Sequence, residues 1–248
     1  MDRELWNQTM TKHYAPPWPC PSCARGALKI VPNSLVSKER ARSRSARDHE
    51  KWDPDWIEYI FTAWLKCNSC GEEVVASGVG GVEPGYDQEE GMTWEDYFAP
   101  RLLCSTPDMF FIPPKCPDEV SKKLRAAFTV FWSDQGAAAT RIRVALELLL
   151  NHLGVKKRRK DRSGKLVDLS LHARIEEFAR RDAKLGGQLM ALKWLGNTGS
   201  HEGRVTKEDL LDAFEIMEHA LAELIERRSE KVAELAKRLT LRHREKHK

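Results

Sequence analysis

The chain has 248 residues, six cysteines and a formal net charge of +4 at neutral pH. Two domains are expected, because most tryptophans and four cysteines lie in the first hundred residues, whereas the sequence after Pro117 is rich in Ala, Leu, Glu and Arg. No apolar run approaches the roughly 18 residues that span a bilayer, and the first residues do not resemble a signal peptide. These features predict a cytoplasmic protein without a membrane partner, whose paired cysteines bind metal rather than form disulfides.

Positive charge is concentrated in three segments. Six basic residues face three acidic ones from Lys38 to Lys51, seven face one from Lys156 to Lys165, and nine face three from Arg227 to Lys248. Eight acidic residues and no Lys or Arg lie between Glu72 and Asp96. Such asymmetry favours an anionic partner, most commonly nucleic acid, although solvated loops and tails would give the same pattern. The candidate phosphate ligands are Lys156, Lys157, Arg158, Arg159 and Lys160.

Two C-x-x-C pairs predict a structural zinc site. The pairs are Cys20 with Cys23 and Cys67 with Cys70, a spacing that lets two thiolates from one turn bind the same tetrahedral ion. The alternatives are a redox pair or chance. Four thiolates leave no open coordination position, so the zinc would stabilise the fold rather than catalyse a reaction. Cys104 and Cys116 lack partners at ligand spacing and are expected to be free thiols.

The residues around the cysteine pairs suit a small β zinc ribbon. Gly26 and Gly71 follow the pairs, where glycine readily adopts a positive φ angle. Strand-like runs flank them at Leu28–Val31, Trp56–Leu65 and Val74–Val75. The pairs are separated by more than the usual 15–20 or so residues, and the Arg/Ser-rich middle of this insertion, 37–49, predicts a mobile loop or an exposed helix. Residues 100–117 contain five prolines and are expected to form a docked linker.

The remaining sequence predicts an all-α bundle. Apolar residues recur at helical spacing in 118–132, 137–153, 185–195 and 206–225, and Ser170 is a candidate N-cap for a further helix. Thr206 and Asp209 resemble a capping box. The polar, glycine-rich segment 196–203 is predicted to break the helical pattern, as a turn or a functional loop. The expected organisation is a zinc-ribbon domain at 1–99, a linker at 100–117, a helical domain at 118–226 and a basic tail helix at 227–248.

The helical part resembles a bacterial family, domain of unknown function 4145. The resemblance covers about 117–225 and is carried by the sequence GAAATRIRVALELLLNHLGV at Gly136–Val155 and by LGNTGSHEG at Leu195–Gly203. Members of that family commonly carry an upstream C-x-x-C pair, as this chain does. The resemblance implies an α+β protein in which a β zinc ribbon precedes an all-α domain of the HEPN group.

HEPN domains are all-α domains of prokaryotic defence and toxin systems, are often dimeric and in many branches are metal-independent ribonucleases. Their motif is an Arg, usually followed by Asn, then three variable residues and a His. Asn197 and His201 match this motif and are the candidate catalytic residues, with His201 in acid/base chemistry. Gly196 occupies the Arg position, so Lys193 or Arg204 would have to supply the cation.

Three functions remain open at this point. The first is a non-catalytic binding and assembly module that engages nucleic acid or a nucleoprotein partner in a bacterial defence or restriction-type setting, with the helical domain dimerising. The second is a HEPN-like ribonuclease that uses His201. The third is an adaptor that binds a protein partner through the tail helix and has no nucleic-acid role.

Overall fold

The computed structural model describes residues 1–87, 91–198 and 205–244. The protein is mixed α+β and divides into two compact units. The sheet unit contains Asp2–Met109 and Phe128–Asp134, and the helical unit contains Met1, Phe110–Ala127 and Gln135–Lys248. In the described ranges, no helix is both long and apolar enough to cross a membrane.

One antiparallel sheet of five strands dominates the sheet unit. Its strands are β1 (Leu28–Ile30), β2 (Val36–Glu39), β3 (Glu58–Cys67), β4 (Glu73–Asp87) and β5 (Gly91–Cys104). β1 and β2 pair with one edge of β3, β4 pairs with the other, and β5 pairs with β4. Two short helices, α1 (Arg3–Asn7) and α2 (Ala41–Ala46), and a 3₁₀ turn (Pro54–Trp56) accompany the sheet. The Arg/Ser-rich insertion is therefore ordered as β2 and α2.

The core of the sheet unit lies on one face of the sheet. Alternate residues of β3, from Phe61 to Cys67, are buried, as the two-residue period of a strand requires. Phe98 of β5 packs against Phe61, with ring centroids 5.2 Å apart. The indoles of Trp6 and Trp18 both contact Trp132 edge to face at about 6 Å. Aromatic burial thus fixes which face of β3 is internal.

The fifth strand corrects the predicted start of the proline-rich linker. β5 continues through Pro100 to Cys104, so residues 100–104 belong to the sheet. Proline is tolerated there because the register between β4 and β5 shifts at Ser77 and Gly78, where Gly78 lies opposite Pro100. Prolines within sheets are confined to edges and to such bulges, where no ladder hydrogen bond is lost.

Six helices among the described residues lie wholly or, for the first of them, mostly in the helical unit. They are α3 (Asp118–Val130), α4 (Gln135–His152), α5 (Leu171–Ala179), α6 (Ala183–Thr198), α7 (Lys207–Leu224) and α8 (Arg228–Arg244). Fully buried Leu146, Leu149, Leu189 and Phe214 represent the core. The predicted caps are confirmed: Ser170 accepts a hydrogen bond from Ala173 N, and Thr206 forms a reciprocal capping box with Asp209.

The basic segment after α4 forms a β-hairpin. Strands β6 (Arg158–Lys160) and β7 (Leu166–Asp168) pair antiparallel. Asp161 closes the turn, because its carboxylate accepts hydrogen bonds from Ser163 and from Lys165 N, and Gly164 adopts a φ of 83°.

The predicted break at Gly196 is also wrong in its position. α6 continues through Gly196 and Asn197 to Thr198, so these three residues are helical. Glycine is needed at position 196 because α6 approaches α4 closely there. A Cβ atom at Gly196 would lie 2.5 Å from Cβ of Arg143 and 3.2 Å from the carbonyl oxygen of Ala139. Packing, rather than a turn, requires this glycine.

Two glycines of α6 give a matched test of that packing. Gly196→Ala should lower the free energy of unfolding by about 1–3 kcal/mol, because the added methyl group meets backbone and Cβ atoms of α4. Gly187→Ala should raise it by about 0.5–1 kcal/mol, since Gly187 is exposed, has nothing within 4 Å and gains helix propensity. Urea unfolding followed by circular dichroism measures both. Equal effects of the two substitutions would contradict the close approach of α6 and α4.

Candidate functional site

The two C-x-x-C pairs converge at one end of the sheet. Cys20 and Cys23 lie in the turn that leads into β1, and Cys67 and Cys70 lie in the turn between β3 and β4. β1 pairs with the end of β3, so that Leu28 lies opposite Cys67. All four sulfur atoms lie within 4.8 Å of one another. Strand pairing therefore assembles a cluster from residues more than forty positions apart.

The cluster has the dimensions and chemistry of a metal site. The Sγ atoms of Cys20 and Cys70 are 3.6 Å apart, and those of Cys23 and Cys67 are 3.8 Å apart. Tetrahedral coordination with metal–sulfur distances of about 2.3 Å requires sulfur separations of about 3.8 Å. The described cysteines form no disulfide. Cys104 and Cys116 stand apart from the cluster as free thiols.

Backbone N–H groups stabilise the thiolate form of two of these cysteines. Hydrogen bonds from Gly26 N and then Arg25 N lower the pKa of Cys23 to about 6. The N–H of Cys70, together with that of Ser69, lowers the pKa of Cys67. The lowered pKa values favour the thiolate form of both cysteines, and the thiolate is the form that binds a metal ion.

The fourth cysteine retains its proton when no cation is present. The pKa of Cys70 is raised to about 12: the Glu72 N–H lowers it, but burial and hydrogen bonds with the other three sulfurs outweigh that contact. A bound metal ion would displace this proton, which couples metal affinity to pH.

The two turns differ in why they need small residues. Gly71 has the expected positive φ, 79°, but in the first turn the positive φ of 52° belongs to Ala24. Gly26 is required for space instead. A Cβ atom there would lie 2.4 Å from Sγ of Cys67 and 2.6 Å from Cβ of Ser69. The prediction that Gly26 adopts a positive φ angle is therefore wrong. Glycine is needed there because the two turns pack so closely that they exclude a side chain.

Two substitutions in the first turn distinguish a steric requirement for glycine from a requirement for a positive φ angle. Gly26→Ala should destabilise the sheet unit by about 2 kcal/mol or more, because the methyl group displaces Sγ of Cys67. Ala24→Gly should preserve or slightly raise stability, since glycine adopts a φ of 52° at little cost. Thermal unfolding of the two variants beside the parent protein measures this contrast. A Gly26→Ala protein as stable as the parent would contradict the packing of the turns.

The hairpin β6–β7 displays cations to solvent. Side chains from Lys156 to Lys160 are all exposed. Arg158 is held by Asp168, with Nε 2.6 Å from the carboxylate. Among the described residues, the other basic side chains of the hairpin make no ion pair. Lys157 directly precedes β6, and Arg159 is its central residue.

Several arginines of the basic insertion are paired with carboxylates. Arg42 forms a bidentate contact with Glu58, at 2.7 and 2.9 Å from its two oxygens. Arg47 pairs with Glu39 at 2.8 Å, and Glu39 also accepts a hydrogen bond from Ser43. These arginines stabilise β2 and α2 and are less available to a polyanion than those of the hairpin.

The HEPN-type motif is only partly within the described residues. Asn197 lies in the last turn of α6 and is partly exposed, whereas His201 and Arg204 lie outside the described residues. Lys193 is buried, and its Nζ lies 3.3 Å from the ring centroid of Trp194. The basic side chain packed against Gly196 is Arg143 of α4.

Sequence reasoning missed a polar row beside Gly196. Arg143 pairs with Glu147 at 3.2 Å, and Arg174 of α5 donates to Asn151 at 2.8 Å and to the carbonyl oxygen of Val155. Burial lowers the pKa of Arg174, against the opposing effect of Glu147. The i, i+4 spacing of Arg143, Glu147 and Asn151 was the available signal, but it is equally common on solvated helices.

Two family models match the chain, one in each unit. A model described as Domain of unknown function (DUF8608) matches residues 8–103. Residues 125–240 match Domain of unknown function (DUF4145). This match confirms the family resemblance of the helical unit and extends it into α8. No curated protein and no solved structure matches the chain.

Proposed function

We propose that this protein is a non-catalytic nucleic-acid-binding module, stabilised by structural zinc in a ribbon-like sheet unit. The observation that carries the proposal is the set of exposed cations on the hairpin β6–β7, of which only Arg158 forms an ion pair among the described residues. Such cations gain most from phosphates, because among the described residues only Arg158 is paired with a carboxylate and because counterions are released on binding. Phosphate contacts of this kind provide affinity without reading sequence.

Zinc suits the cluster better than the other common divalent ions. Four sulfur ligands in a tetrahedral arrangement favour zinc or iron–sulfur chemistry over magnesium or calcium, which bind oxygen. Cys20, Cys23, Cys67 and Cys70 would hold the ion, and it would connect the first turn to the end of β3. A site closed by four protein ligands has a structural role.

Metal analysis tests this part of the proposal. The purified protein should contain one zinc ion per chain by plasma mass spectrometry, and a chelator should lower its thermal unfolding midpoint, because ion binding contributes to folding. Cys67→Ser should lose zinc, whereas Cys104→Ser, outside the cluster, should retain it. A parent protein that folds fully without zinc or another metal would contradict the structural role.

Charge reversal on the hairpin tests the nucleic-acid interface. The double variant Lys157→Glu/Arg159→Glu should bind a labelled RNA or duplex DNA about ten- to a hundredfold more weakly at low salt, because phosphate contacts become repulsive. The matched control is Lys122→Glu/Lys123→Glu on α3, which changes the net charge equally at exposed positions elsewhere. Fluorescence anisotropy measures both. Equal losses in the two variants would show that only net charge matters and would contradict a hairpin interface.

A ribonuclease is a second candidate, and one contact favours it. Arg143 packs on Gly196, so a guanidinium-bearing side chain borders the motif position that lacks arginine. In this alternative Arg143 stabilises developing charge on the phosphate while His201 acts in proton transfer. Arg143 is partly engaged by Glu147, which is why binding without catalysis is the preferred proposal.

Cleavage assays separate the two candidates. If the protein is a ribonuclease, it should cut single-stranded RNA without added metal, and His201→Ala should abolish cutting while His152→Ala, at the exposed end of α4, retains it. If the preferred proposal holds, both variants and the parent should bind RNA without cutting it. Gel analysis of end-labelled RNA distinguishes these results.

A further inference from the structure

The face of the sheet opposite the core carries an exposed apolar surface. Ile60, Thr62 and Trp64 of β3 alternate with the buried residues and lie on the solvent side. β3 is paired along both edges, so this face lies in the middle of the sheet. Half of the Trp64 side chain is accessible.

Neighbouring strands extend this surface. Residues directly opposite one another in an antiparallel pair share a face. Val75 lies opposite Trp64, and Ser77 lies opposite Thr62. The remaining members supplied by strand register are Val36, Val79 and Leu102. We call this set, with Ile60, Thr62 and Trp64, the open sheet face.

Trp64 is held firmly from its main chain. Its N–H donates to Oγ of Ser34 at 3.1 Å, and its carbonyl oxygen accepts from the same hydroxyl at 3.0 Å and from Val31 N at 2.9 Å. Within the described ranges, no other aromatic ring stacks on Trp64. A half-exposed indole on a hydrogen-bonded backbone, without a ring partner, is suited to stack on a planar ligand.

Lysines border the open sheet face. Lys29 lies opposite Lys66 at one end of β3, and Lys38 lies opposite Ile60 towards the other. These two positions are six residues apart along β3, about 20 Å at the rise of a strand. In the described part of the chain, Lys29 and Lys38 form no ion pair, while Lys66 pairs with Glu73 at 3.4 Å. The margin of the face formed by β1 and β2 therefore carries unpaired positive charge.

We propose that the open sheet face binds single-stranded nucleic acid, with a base stacked on Trp64 and backbone phosphates at Lys29 and Lys38. The inference rests on the proposed function and assigns it a second contact surface and a substrate class. An aromatic platform beside cations is the arrangement that binds single strands with little sequence preference. Except at duplex ends, paired bases are stacked inside the double helix and cannot reach Trp64. Stacking on Trp64 therefore favours single strands over duplexes.

Charge favours this occupant over an unknown protein. Near Trp64, the carboxylate of Glu73 is engaged by Lys66, and Glu58 at the far end of β3 is engaged by Arg42. The cations that remain on β1 and β2, Lys29 and Lys38, complement a polyanion, whereas Glu83 and Glu95 lie opposite one another farther along β4 and β5. Thr62 and Ser77 place hydroxyl groups near the middle of the face, where they can meet base edges.

Three tryptophan variants test the inference. Trp64→Ala removes the platform, Trp64→Phe keeps an aromatic ring, and Trp56→Ala removes an exposed tryptophan outside the five strands. Each full-length variant is titrated with a fluorescein-labelled 12-nucleotide oligo(U), with an abasic oligomer of the same length and with a 12-base-pair duplex. Thermal unfolding midpoints and metal content verify that each variant is folded.

Trp64→Ala should bind oligo(U) about tenfold more weakly, as expected for loss of one stacked base, and should bind the abasic oligomer and the duplex like the parent. Trp64→Phe should restore most of the affinity, and Trp56→Ala should match the parent. If Trp64→Ala binds oligo(U) as tightly as the parent does, the inference is overturned while the hairpin interface stands, and the face is left as a protein-docking surface. If the parent binds none of the three probes, both the inference and the proposed function fail.

Discussion

The convergence of four cysteine sulfurs is the constraint on which the sheet unit depends. It connects the turn before β1 to the turn after β3, two segments 44–50 residues apart in sequence. Closing so long a loop costs conformational entropy, and three-residue β1 has few ladder hydrogen bonds to offset that cost. An ion held by the cluster would supply the missing stabilisation, and the tight fit of Gly26 against Cys67 shows how little freedom the two turns retain.

The register of β3 with β1 follows from this constraint. Once Cys67 is fixed opposite Leu28, the register of β3 with β1 is determined, and a slip of one residue would exchange Phe61 and Leu65 with Ile60 and Trp64. The core aromatics oppose such a slip, because Phe61 packs against Phe98. Trp64 is therefore exposed as a consequence of register, and the same register brings Lys29 and Lys38 to its margins.

Charge is arranged differently in the basic segments. In the insertion, Arg42 pairs with Glu58 and Arg47 pairs with Glu39, and these ion pairs stabilise local structure. In the part of the chain that the structure describes, the hairpin β6–β7 has one such pair, Arg158 with Asp168, and its other cations are exposed. Exposed ion pairs contribute little to stability, so retaining unpaired cations there costs the fold little and leaves them available to a phosphate.

The elements predicted most reliably were those specified by local chemistry. The C-x-x-C spacing, the Ser170 cap and the Thr206–Asp209 capping box depend only on neighbouring residues. The structure contains the four-cysteine cluster and both caps. Gly26, Pro100 and Gly196 were misread because their roles depend on strands or helices distant in sequence that approach them closely. The open sheet face was missed for a related reason: both alternating sets of β3 contain large apolar residues, so periodicity did not indicate which set is buried.

The central claim is that exposed cations bind nucleic-acid phosphates. The most direct measurement is the dissociation constant of the wild-type protein for a single-stranded RNA over a range of salt concentrations. Contacts from about five hairpin cations predict that the logarithm of the association constant falls linearly with the logarithm of salt concentration, with a slope of about −3.5. An affinity that does not change with salt, or no measurable binding at the lowest salt concentration, would contradict that claim.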